Sequence, residues 1–172
     1  QVSVAQVPSV TVALAPWGGI LFRDSCKDYV VDNPDSMGQC KIVNTIIENA
    51  QVGIRMESAS PLVRDCRVFN SRDYGIVTEN MSYGWIQNTD VISNYPRSKG
   101  GVLADTYSAP TLEAVQLVNN GQTGLLVRQY ANPILKGTDP LMGRSRVVGN
   151  DIGVRIESGA APRLGNLGNV FT

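Results

Sequence analysis

The sequence predicts an all-β fold, a single-stranded parallel β-helix that forms a solenoid of about six to seven rungs. Three observations support this. A short apolar phrase that begins with glycine recurs along the 172 residues, and each copy is followed by two further short runs rich in Val and Ile. No window keeps a helical period without a proline or glycine in it. Units of this length cannot bury their apolar face alone and therefore stack on one another.

The first run of each unit begins at the glycine. These glycines are Gly19, Gly53, Gly75, Gly101, Gly124 and Gly153. The residues one and three positions later are apolar with one exception, so their side chains are expected to point into the core. They are Ile20 and Phe22, Ile54 and Met56, Ile76 and Thr78, Val102 and Ala104, Leu125 and Val127, and Val154 and Ile156.

The second and third runs complete each rung. The second run starts at or near a proline in four units, at Pro61, Pro110, Pro133 and Pro162. The third run closes at an asparagine, and these residues are Asn49, Asn70, Asn94, Asn120 and Asn150. Asparagine tolerates the left-handed conformation that a tight corner requires. Each unit is therefore expected to contain three strands, stacked on the next unit at about 4.8 Å.

The chain is expected to form a single domain over residues 1–172. Residues 1–18 are interpreted as an N-terminal rung, and residues 19–172 carry the repeats. Residues 26–40 account for most of the extra length of the first unit and are predicted to be an inserted loop. Both ends resemble incomplete rungs, which favours either a longer native chain or head-to-tail stacking on a neighbouring molecule.

The three cysteines allow two interpretations. A disulfide between Cys26 and Cys40 would staple the inserted loop, with a stabilisation of about 3 kcal/mol for a closed loop of roughly 15 residues. Alternatively, one or more of the cysteines pack as small hydrophobic residues, as is expected of Cys66. The chain contains no histidine and no close cysteine pair, so a zinc site is not expected.

Composition narrows the function classes. The 15 basic and 15 acidic residues give a net charge of zero, so nucleic acid is not an expected partner. No apolar run reaches the roughly 18 residues that a membrane span needs. The chain begins with Gln1, which favours a processed form or a piece of a longer protein, and the expected localisation is secreted, periplasmic or cell surface.

The residues four positions after each glycine are all charged and are expected to form one outward column. They are Arg23, Glu57, Glu79, Asp105, Arg128 and Glu157. Neighbouring carboxylates can serve as acid and base in a glycosidase, and their oxygens would suit Ca²⁺, the one cofactor considered. The alternative is an ordinary solvated charged face. The candidate ligand-binding residues are Glu57, Glu79, Asp105, Arg55 and Arg128, and no catalytic residue is assigned.

A second outward row places Val77, Leu103 and Leu126 side by side and predicts an exposed apolar patch. Residues 95–100 or 138–146 are expected to fold over it, or another copy of the chain covers it. Five aromatic residues are candidates for stacking on sugars: Trp17, Tyr83, Trp85, Tyr107 and Tyr130. For Tyr107 and Tyr130, stacking on each other is the alternative.

Residues 44–49, Asn-Thr-Ile-Ile-Glu-Asn, and residues 158–166, Ser-Gly-Ala-Ala-Pro-Arg-Leu-Gly-Asn, carry a family resemblance. With the repeats between them, they resemble the right-handed parallel β-helix of the pectate-lyase-like superfamily, in particular its carbohydrate-binding and sugar-hydrolase type repeats. The resemblance implies a right-handed helix with a substrate groove on an outer face. Residues 88–90, Asn-Thr-Asp, match the first acidic motif of polygalacturonases, but a chain without histidine cannot complete their Gly-His-Gly motif.

These observations favour a non-catalytic extracellular or cell-surface module that acts as a scaffold, adhesin or assembly unit. A polysaccharide and a second copy of the chain are the expected partners. The alternatives are a carbohydrate-binding module and a polysaccharide lyase or hydrolase that acts on the outer face of the helix. The superfamily holds catalytic and non-catalytic members, so the resemblance is more specific for the fold than for the function.

Overall fold

A computed structural model describes residues 16–30, 39–92, 98–137, 143–166 and 169–172, and within these ranges the regular structure consists of β-strands alone. The strands in chain order are β1 (Ile20–Phe22), β2 (Lys41–Val43), β3 (Ile46–Glu48), β4 (Val52–Glu57), β5 (Leu62–Arg64), β6 (Arg67–Phe69), β7 (Tyr74–Glu79), β8 (Trp85–Gln87), β9 (Asp90–Ile92), β10 (Gly100–Ala104), β11 (Thr111–Glu113), β12 (Gln116–Val118), β13 (Thr123–Val127), β14 (Ile134–Lys136), β15 (Arg146–Val148), β16 (Ile152–Ile156), β17 (Arg163–Asn166) and β18 (Val170–Phe171).

Each strand from β1 to β15 pairs in parallel with the strand three places later in the chain. This generates three sheets of six strands: β1-β4-β7-β10-β13-β16, β2-β5-β8-β11-β14-β17 and β3-β6-β9-β12-β15-β18. The predicted solenoid is therefore confirmed. Within the described residues each sheet stacks six strands, which span about five turns of the solenoid, and the predicted number was six to seven rungs. The N-terminal rung predicted for residues 1–18 lies almost wholly outside the described residues.

The side chains predicted to point inward form the core. In β4, β7, β10 and β13 all of them are fully buried: Ile54, Met56, Ile76, Thr78, Val102, Ala104, Leu125 and Val127. The polar exception, Thr78, has its hydroxyl 3.2 Å from the hydroxyl of Ser108. In β16 the corresponding residue Ile156 is exposed, because in the part of the chain described here no strand stacks beyond β16.

The repeated glycine is explained by close packing between the first and third strands of a rung. A Cβ atom on Gly75 would lie 2.3 Å from Cγ1 of Val91, and one on Gly53 would lie 2.3 Å from Cγ1 of Val68. Both distances are far below a carbon–carbon contact of about 3.5 Å. A larger residue at the start of the strand would push the third strand out of the stack.

The asparagine corners predicted at the end of the third strand of each rung are confirmed in part. Asn49 and Asn70 adopt the left-handed conformation, with φ of 58° and 60°. The prediction is wrong for Asn120 and Asn150, because the preceding residues, Asn119 and Gly149, take the left-handed corner instead. The two displaced asparagines turn their side chains to backbone carbonyls: Nδ2 of Asn120 donates to Val91 O and Nδ2 of Asn150 donates to Leu117 O. The corner prediction for Asn94 lies outside the described residues.

The inserted segment between β1 and β2 is held by a disulfide between Cys26 and Cys40, whose Cα atoms are 5.8 Å apart. Tyr29 anchors it to the second sheet, since its N–H donates to Ser60 O at 2.8 Å and its ring packs edge-on against Trp85. Cys66 is a free, buried cysteine, as predicted. Burial raises the pKa of its thiol above the usual range, so the thiol stays neutral in the core.

None of the described segments is a helix of the length and apolarity needed to cross a membrane.

Candidate functional site

The charged column predicted from the sequence exists on the outer face of the first sheet. Glu57 and Glu79 are direct neighbours in the register of β4 and β7. The backbone pairing then continues beyond the strands, since the N–H of Asp105 donates to Thr78 O and the N–H of Arg128 donates to Ala104 O. Successive rungs therefore bring these charged residues into one row, as predicted.

Each carboxylate of this row has an arginine partner. Glu57 lies 3.6 Å from Nε of Arg23, and Glu79 lies 2.5 Å from Nη1 of Arg55. Two further pairs, Arg128 with Asp105 and Arg155 with Glu157, continue the pattern. The row is thus a ladder of ion pairs, which agrees with the charged-face interpretation better than with a run of free carboxylates.

Asp105 is the most constrained member of the row. Its exposed fraction is only 5%, and Nε and Nη2 of Arg128 both donate to its Oδ2, at 2.9 and 2.7 Å. Its Oδ1 accepts hydrogen bonds from the backbone N–H and the hydroxyl of Thr106. The hydrogen bond to Asp105 raises the pKa of Arg128 above its usual range. Arg128 therefore stays charged, and both oxygens of the Asp105 carboxylate already accept hydrogen bonds.

The apolar row beside the charged row is buried, so the predicted exposed patch is wrong. Val77, Leu103 and Leu126 have exposed fractions of 1, 5 and 9%. They form a small outer cluster with Val52, and the ring of Tyr74 packs against it. Residues 95–100 or 138–146 were expected to cover this cluster, but both segments lie in large part outside the described residues.

The outer cluster forms the floor of a pocket of about 200 Å³, called here the outer pocket. It is lined by Val52, Arg55, Asp73, Tyr74, Val77, Glu79, Lys99, Leu103, Asp105 and Arg128. Four of the five predicted ligand-binding residues, Arg55, Glu79, Asp105 and Arg128, therefore meet in one concave site. Glu57, the fifth, belongs to the same ion-paired row but does not line the pocket.

Besides Val52, three polar residues of the outer pocket were not predicted from the sequence. Asp73 and Tyr74 lie just before Gly75, and Lys99 lies just before β10, so none of them belongs to the repeated phrase. Nζ of Lys99 lies 3.0 Å from Oδ1 of Asp73, and Nε2 of Gln51 donates to Oδ2 of Asp73 at 2.7 Å. Strict alternation from Val77 places residue 75 rather than Tyr74 on the outward side, so the repeat carried no signal for Tyr74.

Two pKa shifts describe the electrostatics of the outer pocket. For Tyr74, burial raises the pKa of the phenol, against the opposing effect of Arg128 and Lys99. For Asp73, burial works towards a higher pKa, but the hydrogen bonds from Gln51 and Lys99 outweigh it and lower the pKa of the carboxyl. At neutral pH the pocket therefore holds a protonated phenol beside an ionised carboxylate.

Three of the five aromatic residues predicted to stack on sugars contact other side chains. The rings of Tyr107 and Tyr130 stack on each other, with centroids 5.3 Å apart, and the backbone of Gly159 lies against the ring of Tyr130. The ring of Trp85 is flanked by Tyr29 and by the ammonium group of Lys136. Trp17, Tyr83, Tyr107 and Tyr130 remain 45, 58, 58 and 56% exposed, and none of the five lines the outer pocket.

The described residues on the outer face of the first sheet give little support for a metal site. Among the residues that the structure describes, no group of three or more His, Cys, Asp or Glu side chains is arranged to hold a metal ion. The carboxylates that were candidates for Ca²⁺ are the ones paired with arginine, and Ca²⁺ needs six to eight oxygen ligands.

Comparison with known proteins gives one family. A family model described as a right-handed beta helix region matches residues 2–166, which is consistent with the resemblance to the pectate-lyase-like superfamily. No curated protein and no solved structure matches the chain significantly.

Proposed function

The chain belongs to the right-handed β-helix family, and from this we propose that it is a non-catalytic extracellular or cell-surface module that serves as a scaffold, adhesin or assembly unit. The observation that carries the proposal is the pairing of the outer-face carboxylates with arginines. A general acid must hold a proton at the working pH, and a general base must offer a free lone pair to the substrate. Each oxygen of Asp105 already accepts two hydrogen bonds, from Thr106 and from Arg128, so this carboxylate has no free lone pair to offer as a base.

The disulfide supports an extracellular, periplasmic or surface location. Disulfides persist in oxidising compartments and are rare in the cytosol. The bond between Cys26 and Cys40 joins residues 14 positions apart and closes the inserted segment.

The last described turn supports a role in assembly. Ile152, Ile156 and Phe171 are exposed there, although Ile156 occupies the register position that Val127 fills in the core. An open end of a β-helix offers both apolar side chains and unpaired strand edges. A second copy of the chain, stacked in the same register, would bury both.

An assay for turnover tests the non-catalytic proposal. The purified chain is incubated with acidic and neutral polysaccharides, and products are followed as new reducing ends and as the ultraviolet absorbance of unsaturated uronates. We expect no product above that of a heat-denatured control. Turnover that is lost in both Glu79→Gln and Asp105→Asn, while the variants remain folded, would overturn the proposal in favour of a lyase or hydrolase.

Saccharide binding is a second candidate function, and the outer pocket favours it. The pocket combines an apolar floor, the ring of Tyr74 and several charged side chains within about 200 Å³, and ligand sites typically combine apolar walls with a few polar groups. A glycan array tests this candidate. We expect glycan binding that is lost in Tyr74→Ala. If acidic, neutral and sulfated glycans all fail to bind, saccharide binding is excluded as a function.

A further inference from the structure

Two tyrosine side chains form a parallel stack on the surface of the solenoid, at the corner that follows the first sheet. Tyr107 lies shortly after β10 and Tyr130 shortly after β13, so the two residues belong to successive turns. Their ring centroids are 5.3 Å apart and their ring planes differ by 10°. Both side chains are more than half exposed. The stack is therefore ordered and at the same time open to reagents from solvent.

The backbone of the corner holds both rings in place. The N–H of Tyr107 donates to Gln129 O at 3.0 Å. The N–H of Tyr130 donates to Ser158 O at 3.1 Å, so the corners of three successive turns are hydrogen-bonded to one another. Both tyrosines adopt the left-handed conformation, with φ of 58° and 63°, which is uncommon for a bulky residue. Because the same conformation recurs in both turns, it carries the two rings to the same side.

Gly159 in the next turn completes the stack. A Cβ atom at this position would lie 2.6 Å from Cε1 of Tyr130, far below a carbon–carbon contact of about 3.5 Å. A glycine therefore leaves the room that the ring needs. The ring of Tyr130 is held between the ring of Tyr107 and the backbone of Gly159.

A parallel stack is the geometry in which two phenoxyl radicals combine. One-electron oxidation of a phenol removes an electron and the hydroxyl proton, and it leaves unpaired electron density on the oxygen and on the ring carbons next to the C–O carbon. In tyrosine these carbons are Cε1 and Cε2. The density lies in lobes perpendicular to the ring plane, so it overlaps between stacked rings, whereas rings that meet edge-on offer little overlap.

We propose that Tyr107 and Tyr130 form a modification site, at which hydrogen peroxide and a haem peroxidase join the two rings as a dityrosine. Each phenol loses one electron and its hydroxyl proton, and the two unpaired electrons form a bond between a Cε atom of each ring. The hydrogens on those carbons then move to the phenolic oxygens, which restores both aromatic rings. Hydrogen peroxide accepts the two electrons and the two protons and leaves as two molecules of water.

The new bond joins two successive turns of the solenoid covalently. The inference goes beyond the proposed function, because it requires neither assembly of copies nor saccharide binding. It shares with that proposal only the oxidising surroundings that the disulfide between Cys26 and Cys40 indicates.

Oxidation of the purified chain at low protein concentration tests the proposal. The chain is treated with hydrogen peroxide and a haem peroxidase, and the products are followed by intact-mass spectrometry, dityrosine fluorescence and peptide mapping. We expect a monomer that is lighter by two hydrogen atoms and contains one cross-link, between Tyr107 and Tyr130. Dityrosine formed only between separate molecules, or no dityrosine at all, would overturn the proposal.

Conservative variants identify the two rings that react. Tyr107→Phe and Tyr130→Phe keep a ring in the stack but remove one phenol, and each should abolish the cross-link within the monomer. Tyr83→Phe is the matched control, because Tyr83 is as exposed as the pair and no other ring of the described residues stacks on it. A loss of the cross-link in Tyr83→Phe equal to that in the other two variants would overturn the assignment.

Gly159→Ala tests the role of the stack itself. The added methyl group displaces the ring of Tyr130 while both phenols remain. We expect a lower yield of the cross-link than in the wild type, with circular dichroism that shows a folded chain. An unchanged yield would contradict the proposal that the ordered stack brings the two rings into position to react.

Discussion

At the scale of single residues, ion pairing decides what the charged side chains of the outer face do. Exposed pairs such as Arg23 with Glu57 contribute about 0–1 kcal/mol. Asp105 is different because it is buried, and a buried carboxylate that loses its partner costs several kcal/mol. The pairing with Arg128, together with the hydrogen bonds from Thr106, occupies both oxygens of Asp105.

Asp73 gives a prediction for the dependence of stability on pH. Its pKa is lower in the folded protein than the value of about 3.9 expected when unfolded, because the hydrogen bonds from Gln51 and Lys99 outweigh burial. The ionised form therefore stabilises the fold above pH 3.9, and this contribution is lost as the pH falls through the lowered pKa. Asp73→Asn should reduce the free energy of unfolding at pH 7, as measured by urea denaturation.

The difference between Asp73→Asn and the wild type should shrink when the pH falls below the folded pKa of Asp73. Asp151→Asn is a suitable control, because Asp151 is exposed and has no ion pair with another described residue. A difference between Asp73→Asn and the wild type that stays constant from pH 7 to pH 2 would contradict this account of the pair with Lys99.

At the scale of strands and turns, the sequence predicts what depends on a single rung. Alternation after each glycine is enough to identify the side chains of β4, β7, β10 and β13 that face the core. Contacts that depend on how rungs of unequal length stack on one another were either not predicted or predicted wrongly. Val77 was expected to be exposed, and the contact of Lys99 with Asp73 was not predicted. The reason is that the neighbouring turn of the solenoid, and not the residue's own repeat, sets the contact partner of a corner residue.

The repeated glycine provides a prediction about packing within a rung. Gly75→Ala places a methyl group against the side chain of Val91 and should destabilise the protein by about 2 kcal/mol, a usual cost of overpacking. Gly18→Ala is the matched control, because a Cβ atom at Gly18 meets nothing within 4 Å. The two variants are compared by thermal and urea denaturation. Equal stability of both would show that the close approach of the strands does not explain the repeat.

At the scale of the whole molecule, the solenoid is a stack of similar turns in which each turn packs mainly on its neighbours. Stability in such folds is approximately a sum over neighbouring repeats, and the terminal repeats need a cap or a partner. In the middle turns of this protein, core side chains and the outer-face ion pairs connect each turn to its neighbours. In the proposed assembly, a second copy of the chain covers the apolar side chains that are exposed at the last described turn.

Light scattering tests assembly through that end. The chain has a mass of 18.5 kDa, and stacking of copies should give a larger, concentration-dependent mass that does not change with added Ca²⁺. Ile156→Glu places a charge in the exposed core position and should reduce the mass to that of a monomer. Tyr83→Glu, on the exposed surface of a middle turn, should leave the mass unchanged. A wild-type monomer at all concentrations would argue against self-assembly.

The central claim is that the carboxylates of the outer face stabilise the solenoid by pairing with arginines. A double-mutant cycle of Asp105→Asn and Arg128→Met, read as free energies of unfolding, tests it most directly. Arg128 is partly exposed, so we predict a favourable coupling of about 2 kcal/mol, near the lower end for a buried pair. A coupling near zero would contradict the claim, because the two side chains would then lie together without stabilising the fold.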